Sequence, residues 1–134
     1  MEIRCAGLLP ETLVLDLPEI DAQHEKLFCL LEELKVSCFA NMLSPSGEFE
    51  CLFDAMQQHF STEEYLAAQA GVDFSEHARV HLKNLQGMKS ALDLVSSGGS
   101  DPYSFLRYVE FWFERHIIRY DKPFAVSLKR VDWH

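Results

Sequence analysis

Most histidines in this chain occupy positions at which the apolar residues of its predicted helices would otherwise recur. Five of its six histidines and two carboxylates fall at or beside such positions: His24, His59, His77, His81, His116, Glu63 and Asp121. Interior helix positions normally hold Leu or Phe, and a buried polar group is costly unless a partner satisfies it. A metal ion suits imidazole nitrogen and carboxylate oxygen together. Seven such groups on one interior therefore predict two metal ions rather than one.

Four segments show the i, i+3, i+4 apolar periodicity of amphipathic helices. They run from about Pro18 to Ala40, from about Glu48 to Ala70, from Asp73 to Val95 and from Pro102 to Tyr120. Turn residues fill the connections, with Gly71 suited to a helix C-cap and Asp101-Pro102 to an N-cap followed by proline at the first helical position. Asp73, three residues before Glu76, predicts a capping box at the start of the third helix.

These segments predict an all-α fold, an antiparallel up-down-up-down four-helix bundle with an N-terminal arm. The length of 134 residues suits a single domain. Within that domain we assign residues 1–17 to the arm, residues 18–125 to the bundle and residues 126–134 to a C-terminal tail. His134 lies outside the histidine pattern and is expected to be exposed.

The spacing of His116 and Asp121 conflicts with a regular helix. Five residues turn an α-helix by about 500°, which leaves the two side chains about 140° apart. Pro123 follows closely, removes a hydrogen bond to the carbonyl of Arg119, and is expected to kink or end the helix. We therefore predict a local wide turn from Ile117 to Asp121 that brings both ligands to one face.

Charge and hydropathy limit the partners and the compartment. The net charge of -9 argues against nucleic acid and anionic membrane as partners, because phosphate contacts need basic patches. The N-terminal sequence lacks the features of a signal peptide, and no apolar stretch approaches the roughly 18 residues of a membrane span. A cytoplasmic location is the resulting expectation.

The four cysteines, Cys5, Cys29, Cys38 and Cys51, form no C-x-x-C pair, so a zinc ribbon or thioredoxin-like site is not expected. We interpret them as small buried hydrophobes in preference to redox or disulfide groups. Cys29 and Cys38 on the first helix could still approach Cys51 on the second.

Non-metal interpretations apply to each ligand candidate taken singly. A lone buried histidine is usually a satisfied core residue, and an isolated His–Glu pair four residues apart is often a surface pair. The joint pattern of five histidines and two acids on four apolar stripes, with no compensating buried Arg or Lys, favours the metal interpretation.

The ligand candidates lie in segments that resemble the hemerythrin family, in particular its single-domain bacterial members. The segments are Ile20-Asp21-Ala-Gln-His24 with Leu27-Phe28, His59-Phe60-Ser-Thr-Glu63-Glu64, His77-x3-His81 and Trp112-x3-His116-Ile117-x3-Asp121-Lys122. The resemblance implies a non-heme centre of two Fe ions, with an oxo or hydroxo bridge, that binds O2 reversibly as a carrier, store or sensor. It assigns the seven residues as follows: His77, His81 and His116 to one iron, His24 and His59 to the other, and Glu63 and Asp121 to bridging positions.

The same resemblance implies an O2 pocket beside the iron with fewer protein ligands. Phe60 and Trp112 match aromatic residues that flank the site in the family, although core filling explains them equally well. Phe113 stands where the family commonly has Leu beside the O2 pocket. Its bulkier ring is expected to narrow access to the metal or to swing aside.

Binding rather than catalysis is the expected role, and no catalytic residue is assigned. Oxygen-activating bundles use Glu-x-x-His pairs with four carboxylates, and no histidine here has Glu three residues before it. Two alternatives remain open: a di-iron enzyme of peroxidase type, and a redox-signalling module that handles peroxide or nitric oxide and needs a separate protein partner. Zinc or manganese could also occupy such ligands in an isolated preparation.

Overall fold

A computed structural model describes residues 9–39 and 45–132, and the regular structure in these ranges is helical, without a strand. A short 3-10 turn, Glu11–Leu13, comes first. The long helices are α1 (Pro18–Phe39), α2 (Pro45–Ala70), α3 (Ser75–Ser96) and α4 (Pro102–His116). A π-helical turn, Ile117–Asp121, joins α4 to α5 (Lys122–Asp132). The prediction of an all-α fold with four long helices is confirmed.

Each long helix packs against two others, since α1 contacts α2 and α4, and α3 contacts the same two helices. This arrangement is consistent with a helical bundle. Large apolar side chains from all four helices fill the interior, among them Leu31, Leu52, Met88 and Leu106, and none of these exposes measurable surface. Burial of this apolar surface is the main force that holds the helices together.

The helix ends follow the predicted chemistry in two of three places. At the start of α4, the Oδ1 atom of Asp101 accepts hydrogen bonds from the backbone N–H groups of Tyr103 and Ser104. Gly71 after α2 adopts the predicted left-handed conformation, with φ of 70°. The capping box at α3 is not formed, because Asp73 bonds only to Ser75.

The segments at the two ends differ in part from the prediction. Residues 1–8 of the predicted arm lie outside the described residues, and the remainder contributes Leu13 and Leu15 to the core. The predicted C-terminal tail is wrong for residues 126–132, which are helical. Leu128 explains this continuation, because it is buried in a small apolar cluster with Ala67 and Phe124.

Pro123 does not end the helix. The π-helical turn places it in the first turn of α5, where a missing backbone N–H costs little. The backbone N–H of Lys122, one residue earlier, bonds to the carbonyl of Ile117, five residues back. The chain thus continues as a new α-helix that begins at Lys122, one residue before the proline.

The cysteines do not behave as four buried thiols. Cys51 is exposed and Cys38 is half-buried, and both are free. Cys29 is half-buried and takes part in a disulfide bond, so the interpretation as a reduced core residue is wrong there. Cys5 lies outside the described residues. No helix in the described part of the chain is both long and apolar enough to cross a membrane.

Truncation of a core leucine tests the packing directly. Leu106 is fully buried, whereas Leu82 on α3 exposes 57% of its surface. We expect Leu106→Ala to lower the free energy of unfolding by about 2–5 kcal/mol, because it leaves a cavity. Leu82→Ala is the matched control and should change it by less than about 0.5 kcal/mol. Urea unfolding followed by circular dichroism measures both, and equal losses would contradict this packing.

Candidate metal centre

All seven predicted ligands lie in one buried cluster. In the described ranges, the buried polar or charged residues are His24, His59, Glu63, His77, His81, His116 and Asp121. The most exposed of them, His77, exposes 8% of its surface, and no Lys or Arg joins them. The prediction that these groups share one interior is therefore confirmed.

Helix geometry brings the seven side chains together. His24 comes from α1, and α2 and α3 each contribute two ligands four residues apart, which stack on one helix face. His116 is the last residue of α4, and Asp121 is the last residue of the π-helical turn. The predicted wide turn is confirmed, and its extra residue per turn is what allows both side chains to reach the cluster.

The first group of ligand atoms, named here the five-atom set, contains three imidazole nitrogens and two carboxylate oxygens. These atoms are Nε2 of His77, His81 and His116, Oε1 of Glu63 and Oδ1 of Asp121. Nε2 of His81 lies 3.1 Å from Oε1 of Glu63. Nε2 of His77 and Nε2 of His116 lie 3.1 and 3.2 Å from Oδ1 of Asp121.

The second group, the four-atom set, contains two imidazole nitrogens and the other two carboxylate oxygens. They are Nε2 of His24 and His59, Oε2 of Glu63 and Oδ2 of Asp121. Nε2 of His24 lies 3.2 Å from Oδ2 of Asp121, and Nε2 of His59 lies 3.3 Å from Oε2 of Glu63. Each carboxylate thus presents one oxygen to each set, which is the arrangement of a bridging ligand.

The polar atoms of the cluster fit a cation better than they fit one another. Both carboxylate oxygens of Glu63 and both of Asp121 are buried, and among the described residues none of them accepts a hydrogen bond of ordinary geometry. Imidazole nitrogens also face each other, with 3.0 Å between the Nε2 atoms of His24 and His59. Buried acceptors without donors are costly, and a cation within each set would satisfy all of them. The donor set therefore fits a metal.

Hydrogen bonds behind His59 direct its lone pair inward. Its Nδ1–H donates to Oε1 of Gln23 at 2.7 Å. The amide nitrogen of Gln23 donates to Thr62, whose hydroxyl donates to the backbone carbonyl of Gln58. This chain of donors gives Nδ1 the proton and leaves Nε2 free to bind a metal.

Glu64 provides the corresponding acceptor for His81, because the Glu64 carboxylate lies 3.3 Å from Nδ1 of the His81 ring. The sequence reasoning did not identify Gln23 or Glu64 as part of the site. Each is a direct neighbour of a ligand along a helix, and such neighbours point away from the ligand face. The sequence feature that could have identified Gln23 and Glu64 is that both lie within the segments that resemble the hemerythrin family.

Burial sets the protonation of the cluster. Burial and the neighbouring His24 lower the pKa of His59 to about 3, and burial together with His77 and His116 lowers the pKa of His81 to about 2. Burial and the charge of Asp121 raise the pKa of Glu63 well above its usual range. Burial by itself would raise the pKa of Asp121 as well. The interactions of the Asp121 carboxylate with His116, His24 and His77 outweigh burial and hold this pKa well below its usual value.

Aromatic rings surround the two sets unequally. Phe60 stacks on His81 with 3.8 Å between centroids, and Trp112 lies 6.5 Å from the ring of His116. Phe113 instead presents its ring edge-on to His24 and His59, at 5.4 and 6.1 Å. The three predicted pocket residues therefore differ in position: Phe113 lies against the histidines of the four-atom set, Trp112 lies against His116, and Phe60 contacts both sets, since its ring is also 5.8 Å from that of His59.

Three further aromatic residues contact the histidines of the five-atom set. Phe74 stacks on His77 at 4.2 Å, and Phe124 and Tyr120 lie 5.5 and 5.7 Å from the same ring. The sequence reasoning gave none of the three a role at the site. An aromatic residue on an apolar helix stripe is indistinguishable from ordinary core filling in sequence alone.

Comparison of the chain with family models, curated proteins and solved structures gives no match.

Removing the support behind His59 should weaken metal binding. Gln23→Ala leaves Nδ1 of His59 without its acceptor, and we expect about 10–100-fold lower metal affinity. Gln57→Ala removes an exposed amide from α2 and serves as the control. Competition with a chromophoric chelator for Zn2+ measures both affinities, and an unchanged affinity in Gln23→Ala would show that the hydrogen bond does not orient the ligand.

Metal affinity should also fall as the pH falls. Glu63 holds its proton to a higher pH than an ordinary carboxyl group and must lose it to bind a metal, whereas His59 and His81 are already neutral. We expect up to about a tenfold loss of affinity per pH unit as the pH falls through the titration range of Glu63, whose pKa lies above that of an ordinary glutamic acid. The Glu63→Gln variant should bind the metal more weakly at every pH, and its affinity should depend less on pH. If its affinity fell as steeply with pH as that of the wild type, the proton released on metal binding would come from another group.

Proposed function

We propose that this cluster holds two iron ions and binds O2 reversibly, as a carrier, store or sensor. The observation that carries the proposal is the division of the ligand atoms into a five-atom and a four-atom set bridged by two carboxylates. One iron would lie in each set. The residues that resemble the hemerythrin family support the same assignment, including an oxo or hydroxo bridge between the irons.

The unequal sets support O2 as the ligand. The four-atom set offers one protein donor fewer, so a metal there retains a position for an external ligand. Phe113 borders that set and is fully buried. Its ring excludes water from the position, which limits proton access to a bound molecule and so favours release of O2 unchanged.

The ligand chemistry supports binding rather than oxidation. Five neutral imidazoles and only two carboxylates surround the centre. Neutral donors stabilise a reduced iron better than carboxylates do, because they add no negative charge that would favour higher oxidation states. When bound, the irons supply the electrons for O2 binding, and the protein supplies their orientation and a dry surrounding.

The proposal includes the finer topology of the hemerythrin-like fold, in which α1 to α4 alternate in direction with an arm before α1. Such an antiparallel bundle is the usual outcome when long helices are joined by short loops. The short connection of residues 71–74 between α2 and α3 supports it.

Metal analysis with optical spectroscopy tests the proposal. Protein reconstituted anaerobically with ferrous iron should hold two irons per chain, gain a visible band in air, and lose the band again under argon. Glu63→Ala removes one oxygen from each set and should abolish the two-iron stoichiometry, whereas Glu50→Ala on the exposed side of α2 should not.

Two results would overturn the proposal. A reconstituted protein that holds no iron would remove its basis, and a band that never reverses under argon would exclude reversible binding. Catalytic consumption of hydrogen peroxide by the iron-loaded protein, with no reversible band, would favour the di-iron enzyme instead.

Phe113→Leu tests the pocket. A smaller side chain beside His24 and His59 should open the path to the four-atom set, and we expect O2 association and dissociation to accelerate about tenfold, equivalent to about 1.4 kcal/mol of barrier. Phe105→Leu removes a ring of the same size that stacks on Phe49, and it serves as the control. Stopped-flow spectroscopy measures the rates, and unchanged rates in Phe113→Leu would exclude gating by this ring.

A further inference from the structure

A groove of about 390 Å³ lies between α3 and α4, outside the metal cluster. Its rim carries Arg79, Lys83, Arg115 and Arg119, four of the chain's 12 Lys and Arg residues. The chain as a whole has a net charge of -9. Positive charge is thus concentrated at one small concave site on an otherwise acidic protein, where it focuses a local positive potential.

Most of this charge is not neutralised by the protein. Glu76 is the only acidic residue among those that line the groove, and it pairs with Arg79. In the described ranges, Lys83 and Arg119 form no ion pair, and the guanidinium of Arg115 lies over the ring of Phe111. Three cationic groups therefore remain available to an external partner.

Two residues that line the groove, Trp112 and His116, also carry buried hydrogen-bonding atoms. Nε1 of Trp112 and Nδ1 of His116 have no hydrogen-bond partner within residues 9–39 and 45–132. His116 is 97% buried, and its Nε2 already faces Asp121. Trp112 Nε1 is always a donor, and Nδ1 of His116 becomes one when a metal in the cluster binds Nε2, as the proposed function requires.

We propose that this groove binds a small oxyanion, a phosphate or carboxylate group, beside the ligand His116. Three free cations and two unpartnered donors match the charge and the acceptor oxygens of such a group. The small volume favours a compact anion over an extended polymer.

The position next to His116 links the groove to the metal cluster, and this link rests on the proposed function. An acceptor on Nδ1 makes an imidazole a stronger donor to its metal. An anion in the groove would therefore change the spectrum and O2 affinity of the iron centre, and O2 would change the affinity for the anion by the same factor. The groove would thus be a regulatory site.

Isothermal titration calorimetry tests the site with inorganic phosphate and with acetate, each at low ionic strength and on the protein as purified. We expect one phosphate per chain, and about tenfold weaker binding in the double variant Arg115→Gln/Arg119→Gln, a change of about 1.4 kcal/mol. Lys89→Gln/Arg130→Gln removes the same charge from exposed positions outside the groove and should bind phosphate as the wild type does.

A second variant covers the risk that loss of the Arg115–Phe111 contact disturbs the fold. Lys83→Gln/Arg119→Gln keeps that contact, and its weaker phosphate binding should accompany an unchanged melting temperature. Tighter binding of acetate than of phosphate would assign the groove to carboxylates. No binding of either anion, or equal losses in the groove and control variants, would overturn the proposal.

The test separates this inference from the proposed function. Phosphate binding by calorimetry does not require iron, so a protein that fails to bind O2 can still bind phosphate at the groove. In the iron-loaded protein, saturating phosphate should shift the visible band, and the shift should vanish in Arg115→Gln/Arg119→Gln. An unshifted band despite phosphate binding would overturn the regulatory link alone.

Discussion

The structure depends on two carboxylates buried where no hydrogen-bond donor of ordinary geometry reaches them. Glu63 and Asp121 are fully buried, and the nearest polar atoms are imidazole nitrogens with lone pairs of their own. In an apolar interior this arrangement is unfavourable unless positive charge joins it. A cation held by the cluster would provide that charge, and its binding would then be coupled to folding.

The same constraint explains the distribution of polar groups around the cluster. His59 and His81 each have an acceptor behind them that fixes which nitrogen faces inward, and aromatic rings cover the histidine faces. These contacts fix the orientation of both histidine rings toward the cluster. The groove between α3 and α4 is different, since it brings solvent-facing cations to the outer side of one ligand ring.

Sequence periodicity was sufficient to predict the four long helices and the seven side chains of the cluster, because both depend on the local spacing of residues. His59 and Glu63 are one turn apart, and the five-residue step from His116 to Asp121 already required a wider turn. The remaining features depend on contacts between segments far apart in sequence. The bond from His59 to Gln23 joins α2 to α1, and the burial of Leu128 depends on Ala67, so neither follows from a single periodic stripe. The cysteine pattern gave no indication that Cys29 would be disulfide-bonded.

The π-helical turn also has a consequence for the segment that follows it. One additional residue in a helical turn rotates everything downstream by about 100° around the axis. The apolar side of α5 therefore no longer continues that of α4, and α5 packs against α2 while α4 contacts α1 and α3. One inserted residue thus has two effects: it turns the side chain of Asp121 toward the cluster, and it changes the face that α5 presents to the bundle.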